Sequence, residues 1–180
     1  MFDPDEFQQT TVLVQKVYEL LQSGKLSGWW KAPNGGPYLQ EFERKFAAYV
    51  GTNHAIAVSS GSAAIYVALR AACRDLENTY VAVSPYTHIG SVAPIVMAGG
   101  VPKFIDVDDY GNMSPPDLDS EGFGAVIVPH QLGQPSCMDE IIEISHSFQH
   151  AGSPVIEDCS QALGAKYLSL IHISEPTRPY

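Results

Sequence analysis

Four polar or glycine-rich segments of this sequence each follow a short apolar run and could carry chemistry. They are Ser59–Ser62, Ser84–His88, Pro129–Gln131 and Glu157–Asp158. The apolar runs have the length of strands, and most of the stretches between them have helical spacing. Ligands of parallel sheets bind at the carboxyl ends of the strands, where such segments would meet. We therefore expect the four segments to form one binding site.

The segment Ser60-Gly61-Ser62-Ala63 stands where a helix is predicted to begin. Backbone N–H groups at a helix start attract anions, and the helix dipole adds to that attraction. A glycine among small residues exposes these groups, so a phosphate cup is one interpretation. An ordinary helix cap is the other, because Ser is preferred there for its own hydrogen bond. The residues alone leave both open.

Asp158 follows a predicted strand and is surrounded by small residues. A buried carboxylate at that place would need a cationic partner. A protonated heterocyclic nitrogen, such as that of pyridoxal phosphate, could be this partner. Asp158 could equally cap the next segment. Gln161 could reach the same ligand or satisfy the backbone of its loop.

His88 and His130 also stand at predicted strand ends. Either imidazole could stack on a flat ligand ring, and either could be purely structural. We expect no metal site. No G-x-S-x-G motif or phosphate-binding loop of the P-loop type is present, so the sequence does not favour those two classes of enzyme.

Two amphipathic helices are predicted ahead of this region. The first begins at Asp3-Pro4 and ends at Ser23-Gly24, and the second runs from Pro37 to Val50. A glycine-rich loop with Trp29 and Trp30 joins them. The two helices precede the alternating part of the chain.

Strands and helices alternate in the rest of the chain. Helices are predicted at 62–73, 89–98 and from Ser136 to near Gly152, and a polar loop at 107–122. Such alternation is typical of an α/β fold with a mostly parallel sheet covered by helices. The predicted strands are 54–59, 80–84, 103–106, 125–128 and 155–157.

Charge and composition limit the classes of partner. Ten Lys and Arg face twenty Asp and Glu, for a net charge of −10. This charge opposes binding to nucleic acid and to anionic membranes. The three cysteines lack metal-binding spacing and favour a reducing compartment. We read neither a signal peptide nor an apolar run of the ~18 residues that span a bilayer, and we expect a cytoplasmic protein.

The order and spacing of several motifs resemble the DegT/DnrJ/EryC1/StrS family, from about residue 25 to Tyr167. These are pyridoxal-phosphate-dependent aminotransferases that act mainly on keto sugars linked to nucleotides. The resemblance implies a fold-type-I large domain, a mostly parallel sheet with helices on both faces. The motifs are Gly36-Pro37, Phe42-Glu43, Ser60 to Ala64, Ser84 to His88, Ala98 to Pro102, Asp106 to Asp108, Gly133 to Pro135 and Glu157 to Ala162.

The resemblance also implies roles for single residues. Pyridoxal 5'-phosphate would be the cofactor. Its phosphate would be held at Gly61, with Ser62 and Ala63 as donors, and His88 would stack on its ring. Asp158 would pair with the ring nitrogen, and Gln161 would lie near the ring hydroxyl. An amino acid, glutamate or glutamine, would donate the amino group to a keto sugar nucleotide, and the family forms homodimers.

The chain departs from the family at three places. The family's catalytic Lys, which forms the Schiff base downstream of the Glu-Asp pair, has no match among Lys16, Lys25, Lys31, Lys45, Lys103 and Lys166. Residues 168–180 fit no family pattern and are expected to be a non-native tail. Gln131-Leu132 stands where the family usually has an apolar residue followed by Tyr, and this difference could alter substrate contacts.

These departures leave three functions open. The chain would be the N-terminal part of an aminotransferase and inactive by itself, with a helix and loop at 1–30 and a partial cofactor-binding domain at 31–167. A sugar dehydratase of the same family, in which His replaces the Lys, is an alternative. A non-enzymatic binding or regulatory remnant is another.

Overall fold

The structure of the protein, a computed structural model, is described for five ranges of residues. They are 4–24, 35–118, 122–147, 152–167 and 171–172. The predicted loop with Trp29 and Trp30 lies outside them, as do most of residues 168–180.

Four parallel strands form the sheet that supports the site. They are β1 (Tyr80–Val83), β2 (Val101–Phe104), β3 (Ala125–Pro129) and β4 (Val155–Asp158). Their order across the sheet is β2-β1-β3-β4, and every pair is parallel. Four of the five predicted strands are confirmed, although β2 begins at Val101 rather than at residue 103.

The predicted helices are present, and α2 shows clear start and stop signals. α2 begins at Pro37, whose fixed φ suits a first turn, and ends where Gly51 adopts a left-handed φ of 88°. α4 contains Pro94 and is nevertheless continuous. The helices are α1 (Pro4–Ser23), α2 (Pro37–Val50), α3 (Gly61–Ala72), α4 (Ile89–Met97) and α5 (Met138–Ser147).

Helices cover both faces of the sheet. Ile127 of β3 packs in one buried cluster with Leu69 of α3 and Ile95 of α4. Its neighbour Val126 belongs to the other cluster, with Ile141 of α5. Successive residues of a strand point to opposite faces, so one strand contributes to both clusters. The predicted α/β fold with a parallel sheet and helices on both faces is confirmed.

The predicted strand at 54–59 is wrong. None of the described strands pairs with this segment. Ile56 is 75% exposed, and the Ala57 N–H donates to the Glu43 Oε1 at 2.8 Å. A strand needs backbone partners for its N–H and C=O groups, and an apolar sequence does not supply them.

α1, at the start of the described chain, contributes little to the core. α1 has the predicted helical spacing, but Leu13, Val17 and Leu21 are exposed. Near the other end, β5 (Lys166–Tyr167) pairs antiparallel with β6 (Ile171–His172). The proposed boundaries at 30 and 167, and the non-native character of 168–180, stay predictions. None of the helices in the described ranges combines the length and apolar character that crossing a bilayer requires.

Candidate functional site

A cavity of about 440 Å³ lies at the carboxyl ends of β1, β3 and β4. Its size falls within the ordinary range for small-molecule sites. The structure brings five of the six predicted site residues to its wall, namely Gly61, Ser62, His88, Asp158 and Gln161. Ala63 is not among the lining residues.

The first turn of α3 forms one wall of the cavity. Ser60 caps the helix, and its Oγ accepts from the Ala63 N–H at 3.2 Å. The helix-cap interpretation is therefore correct for Ser60, and the Ala63 amide is engaged. Gly61 and Ser62 bring the positive end of α3 to the cavity, so an anion site here rests on these two residues.

The carboxylate of Asp158 is held by hydrogen bonds on both oxygens. The Ser91 hydroxyl donates to Oδ2 at 2.6 Å. The Ser160 backbone N–H donates to Oδ1 at 3.1 Å, and the Ser160 hydroxyl donates to the same oxygen. Because Asp158 accepts on both oxygens, it has the bonding pattern of an ionised carboxylate. A negative charge is therefore fixed at the cavity wall.

A second hydroxyl extends the hydrogen bonding behind Asp158. Ser91 is buried, and its Oγ lies 3.0 Å from the Thr87 Oγ1. Since Ser91 gives its only proton to Asp158, it accepts the proton of Thr87. The first turn of α4 is thus tied to the end of β4.

His88 caps α4 and faces the cavity. Its Nδ1 accepts from the Gly90 N–H at 2.9 Å, which places the proton of the neutral ring on Nε2. A Cβ on Gly90 would lie 2.9 Å from both the His88 Nδ1 and the Ser62 Oγ. A side chain at position 90 would therefore force the His88 ring or the Ser62 hydroxyl to move.

His130 is buried in the wall of the cavity and has a partner within the protein at each ring nitrogen. Nδ1 accepts from the Ser136 N–H at 3.1 Å. Nε2 therefore carries the proton and donates to the Glu157 Oε2 at 3.0 Å. Both nitrogens are engaged within the protein, so the structural interpretation of His130 is supported over stacking on a ligand.

Within the described part of the chain, His130, Glu157 and Cys159 are the one group close enough together to hold a metal. The geometry opposes this use, because a metal would need the Nε2 lone pair that the hydrogen bond to Glu157 excludes. Burial, with smaller contributions from Glu157 and Asp158, raises the pKa of Cys159 to about 12, so the thiolate is disfavoured. His146 and His150 have H-x-x-x-H spacing, but His150 lies outside the described residues.

We expect Cys159 to react slowly with iodoacetamide in the folded chain. At pH 8 a thiol with a pKa of about 12 is thiolate in about one molecule in 10⁴, against roughly a quarter for an ordinary thiol. The greater nucleophilicity of a basic thiolate offsets part of this difference. Peptide mapping should show labelling at least about tenfold slower than in the urea-unfolded chain.

The pH dependence of the labelling rate of Cys159 provides a second test of its raised pKa. Because the pKa is raised, the rate for Cys159 should keep rising about tenfold per pH unit above pH 9. The unfolded chain, the control, should level off there. A plateau near pH 9 in the folded chain would contradict the prediction.

Several residues at the site were missed by sequence reasoning, among them one glycine and two serines. Gly90, Ser91 and Ser160 line the cavity with the predicted residues. Ser91 carried a usable signal, since it is a polar residue in the apolar segment that forms α4, three positions after His88. Residues that far apart in a helical turn share a face. Gly90 leaves room for the His88 and Ser62 side chains, and Ser160 donates hydrogen bonds to Asp158. The spacing of residues in the sequence does not reveal either contact.

These residues fit a ligand that carries a phosphate at one end and a protonated ring nitrogen at another. The positive end of α3 and the Asp158 carboxylate lie on the same cavity, and the exposed His88 ring offers a flat face between loops. Pyridoxal phosphate has this combination of groups. The donor set therefore agrees with that cofactor.

Comparison with known proteins gives a consistent family. The model of the DegT/DnrJ/EryC1/StrS aminotransferase family matches residues 10–170. GDP-perosamine synthase of Escherichia coli O157:H7 is 35% identical over 146 residues, which cover 79% of this chain and 39% of that protein.

Two solved structures have the same fold. The aminotransferase from Psychrobacter cryohalolentis aligns with a TM-score of 0.74 and 30% identity, over 93% of this chain and 39% of that one. GDP-4-keto-6-deoxymannose-3-dehydratase aligns with a TM-score of 0.67 and 25% identity, over 74% and 36%. The chain thus spans less than two fifths of the length of these proteins.

Proposed function

The chain belongs to the DegT/DnrJ/EryC1/StrS aminotransferase family, and from this we propose that it forms the cofactor-holding part of a pyridoxal-phosphate-dependent sugar aminotransferase. The reaction would move an amino group from glutamate or glutamine to a keto sugar nucleotide. Residues 31–167 would be the partial cofactor-binding domain, and the complete enzyme would be a cytoplasmic homodimer.

The observation that carries the proposal is the anchored carboxylate of Asp158. It accepts three hydrogen bonds from Ser91 and Ser160 and lines a cavity that also receives the positive end of α3. A fixed anion at a cavity wall selects a cationic group in the ligand. A helix N-terminus at the same cavity selects a phosphate.

Each residue would then have a separate task. The backbone N–H groups of Gly61 and Ser62 would bind the phosphate, with Ala63 supporting the turn through its bond to Ser60. His88 would cover one face of the ring and exclude water. Asp158 would hold a proton on the ring nitrogen. When bound, pyridoxal phosphate supplies an electron sink that stabilises negative charge on the substrate carbon.

We place the covalent link to the cofactor outside this chain's lysines. Among the described ones, Lys16, Lys45, Lys103 and Lys166, none lines the cavity. The Lys103 ammonium lies 5.8 Å and 5.6 Å from the ring centres of Tyr80 and Phe123. By itself the chain would bind the cofactor without turnover.

The likeness to GDP-4-keto-6-deoxymannose-3-dehydratase supports a second candidate function, removal of a sugar hydroxyl. An assay on the complete enzyme distinguishes amino transfer from removal of a hydroxyl. Isotopically labelled glutamate and a keto sugar nucleotide would give a labelled amino sugar from an aminotransferase. A dehydratase would give a deoxy sugar that carries no labelled nitrogen.

The cofactor part of the proposal is testable on the 180-residue chain. We expect pyridoxamine 5'-phosphate to bind at least about tenfold more tightly than pyridoxamine, because the phosphate gains charge-assisted hydrogen bonds at the start of α3. Calorimetric titration of both ligands measures the ratio, and pyridoxamine is the matched control. Equal affinities would contradict the phosphate site.

A further inference from the structure

Gln131 is a buried amide beside the cavity that the proposed function does not use. Gln131 is 3% exposed. Burial by itself would favour an apolar side chain at this position, so the amide needs another explanation. The side-chain Nε2 donates to the Tyr86 carbonyl oxygen at 2.6 Å. Its Oε1 accepts from the Gln161 Nε2 at 3.1 Å. A buried polar group with this many partners fixes whatever it touches.

The backbone of Gln131 is fixed as well. Its N–H donates to the Asn112 Oδ1 at 2.9 Å. Asn112 is itself buried, and its Nδ2 donates to the carbonyl oxygens of Gln134 and Pro135 at 3.3 Å and 3.4 Å. The Gln131 amide therefore has little freedom to leave Gln161.

Gln161 is held at both ends of its amide. The Leu132 backbone N–H donates to the Gln161 Oε1 at 3.2 Å, while its Nε2 is bonded to Gln131. An N–H donor requires an oxygen, so the two contacts together settle which end of the amide is which. One N–H of the Gln161 Nε2 then remains beyond its bond to Gln131.

The Leu132 N–H reaches Gln161 through an uncommon backbone conformation. Leu132 has φ 52° and ψ 30°, in the left-handed region that residues with a side chain seldom adopt. Its side chain is 77% exposed, so core packing does not impose this conformation. In this left-handed conformation, the Leu132 backbone N–H donates to the Gln161 Oε1, and the hydrogen bond offsets part of the cost of the conformation.

We propose that Gln131 is a positioning residue that fixes the Gln161 amide, so that its remaining N–H faces the cavity and donates to the ring oxygen of the bound cofactor. This rests on the proposed function, in which Gln161 lies near the ring hydroxyl. Gln131 stands where the family resemblance leads one to expect an apolar residue. The hydrogen bond to Gln161 gives a structural reason for an amide at this position. The ring oxygen of the cofactor would thus accept a hydrogen bond from a neutral amide, that of Gln161, which Gln131 holds in the required orientation.

A first measurement needs no cofactor. In the nitrogen-labelled 180-residue chain, the side-chain amide of Gln161 should show the restricted motion of a fixed group by nuclear magnetic resonance. Gln131→Met keeps length and approximate volume and removes both amide contacts. The Gln161 amide should then become mobile. Gln131→Leu serves as a second apolar variant if Gln131→Met does not fold. An unchanged Gln161 amide in either folded variant would overturn the proposal.

A double-mutant cycle tests the consequence for the ligand. Gln131→Met should weaken binding of pyridoxamine 5'-phosphate about fivefold, the usual scale of one neutral hydrogen bond. In a Gln161→Met background the same change should have no further effect, because its target is absent. A structural role for Gln131 would instead give independent losses, which would overturn the proposal.

The same titration separates this inference from the proposed function. If Asp158→Asn weakens binding and Gln131→Met does not, the positioning role alone is wrong. If the unaltered chain binds pyridoxamine 5'-phosphate no better than pyridoxamine, the phosphate site of the proposed function is wrong, whereas the positioning role still stands or falls with the mobility of the Gln161 amide in Gln131→Met.

Discussion

Asp158→Asn is expected to slow amino transfer by roughly two to three orders of magnitude in the complete enzyme that the proposal implies. Asn keeps the shape of the side chain and removes its charge. Breaking a buried charged pair on one side costs about 3–5 kcal/mol, and here the loss falls largely on the transition state. At ~1.4 kcal/mol per tenfold, the lower part of that range gives the expected effect. Single-turnover rates with saturating cofactor measure it.

The control for this prediction is Ser160→Ala. It leaves the charge of Asp158 and its bond from the Ser91 hydroxyl in place, and removes one hydroxyl donor. We expect a loss of about tenfold, near the lower end of the ~1.5–3 kcal/mol of one hydrogen bond to a charged group, because the Ser160 backbone N–H still donates to the same oxygen. Near-normal activity of Asp158→Asn with the cofactor bound would show that Asp158 is wrongly assigned. The phosphate and stacking assignments would then lose their main support.

His130→Leu is expected to lower the free energy of unfolding by about 3 kcal/mol, which is large against the total stability of a domain. The change leaves the Glu157 carboxylate, whose side chain is 20% exposed, without its imidazole partner. It also leaves the buried Ser136 N–H without its acceptor. Urea unfolding followed by circular dichroism measures the difference.

Two matched variants separate the contribution of the Ser136 N–H to this loss of stability from that of the Glu157 carboxylate. His130→Asn can place an oxygen near the position of Nδ1 and should recover the part due to Ser136. Adding Glu157→Leu to His130→Leu removes the unpaired carboxylate, so the double variant should be more stable than His130→Leu alone. Glu157→Leu alone completes the cycle. If the double variant is less stable by the sum of the His130→Leu and Glu157→Leu losses, the hydrogen bond between His130 and Glu157 is not the source of the effect.

The sequence was sufficient for elements whose signals are local. α2 has Pro37 at its first turn and Gly51 after its last, and both act through their own backbone conformation. β3 is apolar throughout because it is buried on both faces, and this is visible as an uninterrupted run. Asp158 and Gly61 could be placed because strand ends and helix starts follow from those same elements.

The features that sequence reasoning missed depend on partners distant in the chain. Ile56 and its neighbours have the composition of a strand, yet only a pairing partner would make them one. The bond between Ser91 and Asp158 joins residues on different elements, and the role of Gly90 depends on where the His88 and Ser62 side chains arrive. Residue type gives no measure of such distances.

The parallel order of the sheet has a consequence for the time course of folding. Each strand pair requires a crossover rather than a hairpin, and such long-range closures are slow steps. The cavity takes its wall from α3, from the turn after β1 and from the end of β4. Asp158 meets Ser91 only after β4 has joined β3. In a refolding experiment, recovery of ligand binding would therefore follow the arrival of β4, after helix formation and collapse are complete.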